Sequence, residues 1–138
     1  MATKAKGIRI SDQLDREITN ESETRGKSWS AITNELLEEA IRMRRTPGIV
    51  FVDGVTGRRA ALPGGLDVWE IIATWLEGGR SYAELRKNYP WLTETQLRAA
   101  LAYYELYPSE IDARLEREAR WTPERVGQEL PFLKPRNR

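Results

Sequence analysis

Cysteine and histidine are both missing from these 138 residues. Their absence excludes disulfides, thiolate chemistry, the usual zinc sites and every catalytic triad built on imidazole. Long apolar runs are missing as well. Nothing approaches the roughly 20 residues a membrane span needs, so no membrane partner is expected. The opening stretch MATKAKGIRIS has lysines but no apolar signal core. A cytoplasmic, non-redox protein is therefore the default expectation. No nucleophile–base pair and no phosphate-cradling glycine loop appears, so neither an enzyme nor a cofactor is expected. Asp53, Asp67 and Glu70 are the carboxylates nearest to a metal set, but Asp53 suits a turn and Asp67 with Glu70 suits a helix cap.

Net charge is nearly absent too, at +1, but it is unevenly placed. Residues 1–10 carry Lys4, Lys6 and Arg9 and no acid, while residues 47–113 hold six bases against nine acids. Residues 114–138 are basic again, with seven bases and four acids. Basic ends suit an acidic partner, nucleic acid or protein, or else are simply solvated termini.

What is present is mostly helical punctuation. Ile8 and Ile10 alternate with Gly7 and Arg9, the period-two signal of a short strand. Ser11 then caps a helix reaching about Thr24, with a thin stripe of Leu14 and Ile18. Arg25-Gly26-Lys27 breaks it, and Ser28 caps a second helix. That helix has Trp29, Ile32, Leu36, Leu37, Ala40 and Ile41 on its inner stripe and stops at Pro47-Gly48. Ile49 to Val52 and Arg58 to Leu62 read as the arms of a small hairpin around Asp53-Gly54-Val55-Thr56-Gly57. Asp67 caps an apolar helix ended by Gly78-Gly79, and Ser81 to Glu84 and Thr93 to Gln96 are capping boxes for two more. In the last of these Leu97, Ala100, Leu101 and Tyr104 face inward, and Ile111 and Leu115 suggest a further helix after Pro108. Trp91, Tyr103, Tyr104 and Tyr107 either pack the core or anchor a partner. The predicted fold is mainly α. The predicted domains are 1–46, a helical domain with an N-terminal hairpin over 47–119, and a basic tail over 120–138.

Residues 1–46 hold about nine apolar side chains, too few for a core of their own. Their strand also has no partner for its backbone groups. Two copies that pair their strands antiparallel and interlock their helices meet both needs. At this point IRIS, LDREI and GKSWSAITNELLEEAI resemble the ribbon-helix-helix repressor family over about residues 5–45. The resemblance implies a homodimer whose strands enter the DNA major groove. Ile8 and Ile10 then point into the dimer, and Ala5, Gly7, Arg9 and Ser11 point out. Arg9 is the one long polar side chain on that face and is expected to read a guanine edge of operator DNA. Lys4 and Lys6 flare toward phosphates, and the free amides of Lys27, Ser28 and Trp29 offer a phosphate site. Family members usually carry polar residues where Ala5 and Gly7 stand here, which implies few base contacts.

Residues 49–113 resemble the bacterial family called domain of unknown function 433. The resemblance is carried by GLDVWEII and by SYAELRKNYPWLTETQLRAALAYYELYPSEID. It implies a small helical domain with a helix-turn-helix outline, often encoded beside a PIN-like nuclease toxin. Together the two units resemble VapB-type antitoxins, which implies neutralisation of a PIN-like toxin and repression of a shared promoter. The tail is the expected toxin-binding arm. Arg120, Arg125 and Lys134 would pair with toxin carboxylates, and Trp121, Phe132 and Leu133 would fill apolar pockets. The alternative is a plain dimeric transcription regulator whose second domain mediates assembly. Residues 93–106 have only Arg98 against Glu94 and Glu105, which argues against a second DNA-recognition helix.

Overall fold

A computed structural model describes residues 2–55, 57–121 and 128. It has six helices and one two-stranded antiparallel sheet among those residues. The chain divides into two compact units, residues 1–42 and 43–138.

In the first unit, α1 spans Asp12–Arg25 and α2 begins at Trp29 and runs to Arg45. The expected caps hold both starts. Ser11 Oγ accepts from the Leu14 N–H at 3.1 Å, and Ser28 Oγ from the Ala31 N–H at 3.1 Å. Gly26 closes α1 in the left-handed region (φ 64°), where a side chain would be strained. Two expectations change here. Residues 2–10 form no strand in the single chain, because a strand exists only through its ladder and no second strand lies in this unit. The α2 stripe is also mostly uncovered: Ile32 is buried, but Leu36, Leu37, Ala40 and Ile41 are exposed. The cause is the thinness of α1, which buries only Ile18 and cannot roof a full helix face.

The second unit has a core of its own. The hairpin pairs β1 (Val50–Gly54) with β2 (Gly57–Ala61), with Val50 opposite Ala61 and Gly54 opposite Gly57. Four helices follow: α3 (Val68–Glu77), α4 (Tyr82–Asn88), α5 (Glu94–Leu106) and α6 (Pro108–Arg120). Val68, Ile71 and Ile72 of α3 pack with Leu85, Leu97, Ala100, Tyr103 and Ile111 and with Ile49, Ala60 and Leu62 of the hairpin region. Thr93 and Gln96 form the expected reciprocal cap. The inward face of α5 is turned from the one expected. Tyr103 is fully buried while Tyr104 and Leu101 are half-buried, because α6 and Phe51 close over the Tyr103 side.

Candidate nucleic-acid interface

Lys4, Ala5, Lys6, Gly7 and Arg9 are all exposed. The arm and α2 together line a cleft of about 450 Å³. Lys4, Ala5, Lys6 and Ile8 form one wall, and Trp29, Ser30, Thr33, Asn34 and Leu37 form the other. The fold thus brings Lys4, Ala5 and Lys6 to the same cleft as Trp29. Gly7, Arg9, Lys27 and Ser28 do not line this cleft. Ser30, Thr33 and Asn34 were missed by the sequence reading. Their spacing from Trp29 and Leu37 on one helical face was the available signal.

The turn between the helices corrects one expectation. The Lys27 amide is not free: it donates to Ser22 O at 3.1 Å, and Ser22 Oγ donates back to Lys27 O. A six-residue closure of this kind is how a helix end satisfies its last carbonyls. Among the described residues the amides of Ser28, Trp29 and Ser30 have no acceptor, so the anion-facing end of α2 starts one residue later than expected. The Trp29 indole N–H donates to Asp15 Oδ1 at 3.1 Å and ties the first turns of α1 and α2 together. Lys27 Nζ lies 3.6 Å from Glu35.

In the second unit the bases around the helix-turn-helix outline are engaged. Arg86 donates to Leu92 O, Lys87 pairs with Glu84, and Arg98 pairs with Glu94 at 3.5 Å and stacks 4.1 Å over Tyr82. The paired tyrosines and the Pro-x-Glu-Ile-Asp run form a latch. The Tyr103 hydroxyl donates to Glu110, and the Tyr104 hydroxyl donates to Asp112 Oδ1 at 2.6 Å, which clasps α5 to α6. The hydrogen bond to Asp112 raises the Tyr104 phenol above its ordinary value, burial adds to this, and Arg80 opposes it. Asp67 is buried and held by Arg59 Nε at 2.8 Å and by the Trp69 indole at 3.1 Å, so its carboxylate is structural. Trp91 is exposed and meets Tyr89 edge to face, so it does not pack the core. Among the described residues no group of three acids is arranged to hold a metal, and no helix is long and apolar enough to cross a membrane.

Of the expected toxin-binding residues, Arg120 ends α6 beside Glu116, and Trp121 follows it, exposed. Arg125, Phe132, Leu133 and Lys134 lie outside the described residues, as does the helical start expected at Thr122-Pro123.

Residues 65–104 match the family described as "Protein of unknown function (DUF433)". The match runs from the loop before α3 through most of α5 and includes GLDVWEII. Among solved structures the chain is similar to a DUF433 member protein from Anabaena variabilis ATCC 29413. Identity is 27%, coverage is 78% of this chain and 99% of that one, and the TM-score is 0.43. No curated protein matches the chain.

Proposed function

We propose that the chain is a DNA-binding antitoxin: a homodimer through residues 1–42 that represses its own promoter and neutralises a PIN-like nuclease toxin. One observation carries the dimer. Ile8, Leu14, Leu37 and Ile41 are 64%, 44%, 53% and 57% exposed in a unit that has almost no core. A second copy covers this face with the same side chains and gives the strand-patterned segment 7–10 the ladder it lacks. Burying each such side chain is worth about 1.5–3 kcal/mol. The exposed Lys4, Lys6 and Arg9, with the open amides at the start of α2, supply the chemistry for a DNA backbone and a base edge. The toxin part rests on the family match over 65–104 and on the resemblances described for the sequence.

Two measurements test this function. In gel-shift titrations against the DNA upstream of its own gene, Arg9→Ala loses roughly 30-fold or more in specific affinity. A bidentate guanine contact is worth about 1–3 kcal/mol and occurs twice per dimer. Unchanged affinity removes Arg9 from base readout. Deleting residues 120–138 leaves DNA binding within twofold and abolishes rescue of growth when the PIN-like toxin encoded beside it is co-expressed. Growth rescued by the truncated chain sinks the tail's role.

A further inference from the structure

A second groove, of about 430 Å³, lies in the second unit where α3 ends and α5 meets α6. Trp75, Leu101, Tyr104 and Pro108 give it an apolar lining, and the exposed Arg80 and Glu105 line it as well. The Trp75 and Tyr104 rings meet edge to face at 6.3 Å, and the Arg80 guanidinium lies 5.3 Å over Trp75. Among the described residues the Trp75 indole N–H has no acceptor, Glu105 no cation and Arg80 no carboxylate. The groove therefore presents the Trp75 and Arg80 donors beside each other and also a free acceptor, Glu105.

Arg80 is held there against a conformational cost. It is the single non-glycine residue with positive φ among the described residues, at 61°, directly after Gly78-Gly79. Its N–H donates to Trp75 O at 2.8 Å and closes α3. A glycine makes that closure without strain, so the position costs stability for a side chain that contributes no ion pair to the fold. Strained residues of this kind are kept where the side chain has other work.

We infer that this groove docks an extended peptide segment of a protein partner, one in which an apolar side chain is followed closely by lysine or arginine. The apolar side chain sits on Leu101, Pro108 and the Tyr104 ring. Arg80 and the Trp75 indole donate to peptide carbonyls, and the basic side chain meets Glu105. The acidic balance of residues 47–113 suits a basic segment and disfavours nucleic acid. The inference rests on the second unit being a protein-binding module, and it needs neither the tail nor DNA.

The test pans the full-length chain against a phage-displayed random dodecapeptide library. A synthetic peptide of the enriched pattern is then titrated by fluorescence anisotropy. Enriched peptides share an apolar residue with Lys or Arg within the next two positions. Glu105→Lys changes that requirement to Asp or Glu. Arg80→Gly weakens binding at least tenfold while the melting temperature holds or rises, a combination a purely structural arginine does not give. Three results overturn the inference: no enrichment, enriched peptides that bind both variants as well as the wild type, or a change of oligomeric state in Glu105→Lys that assigns the groove to a second copy. DNA binding and toxin rescue are read separately, so failure here leaves the proposed function standing.

Discussion

Ile41→Asp is expected to leave the chain monomeric and to abolish specific DNA binding. Ile41 is exposed in the single chain and lies on the same α2 face as Leu37, one turn away. Placing aspartate there costs a monomer little, because surface substitutions usually fall within about 0.5 kcal/mol. In the dimer the same carboxylate is buried twice, without a partner, at a cost of several kcal/mol per copy by the usual penalty for burying an unpaired charge. The dimer constant should fall by roughly a thousandfold or more, on the scale of 1.4 kcal/mol per tenfold. Sedimentation should show a wild-type dimer and a variant monomer at micromolar concentration, with the helical circular dichroism of the variant preserved. A variant that still sediments as a dimer removes this face from the interface. A wild type that is itself monomeric removes the paired ribbon altogether.

Tyr103→Ala is expected to unfold or nearly unfold the second unit. The side chain is fully buried and touches Phe51 at 6.2 Å and Tyr107 at 5.0 Å between ring centres, with its hydroxyl on Glu110. Removing a buried aromatic ring costs about 3–5 kcal/mol, a large part of the roughly 5–15 kcal/mol that holds a domain together. For a unit of this size each kcal/mol moves the midpoint by about 4–8 °C, so thermal melting should shift down by at least about 12 °C. Tyr103→Phe keeps the ring and removes only the hydroxyl's hydrogen bond to Glu110, and should cost about 1 kcal/mol. Equal melting shifts for the two variants would mean that the hydroxyl, and not the ring, is what the core needs.

The contrast between Tyr103 and Tyr104 shows what was legible in the chain and what was not. The helices, their serine and threonine caps, the Gly26 stop and the hairpin could all be read from the sequence, though its strands pair through Asp53, Gly54 and Gly57, which were expected in the turn. Each is settled within about four residues by a hydrogen bond or a permitted φ. The too-small apolar inventory of the first unit was equally readable, but which α2 side chains α1 leaves open was not. Which tyrosine goes inside was not readable. Adjacent residues on a helix differ by about 100°, and the choice was made by Phe51 from the hairpin and by α6, which pack on α5 from distant parts of the chain. Distance along the chain also hid the capture of Asp67 by Arg59 and the assembly of Trp75, Arg80, Leu101 and Glu105 around one groove. The sequence by itself determined the segments and where each stops, because those are local hydrogen-bond and steric decisions. Tertiary structure alone decided which side chains are buried, paired or left open, because burial depends on what arrives from elsewhere.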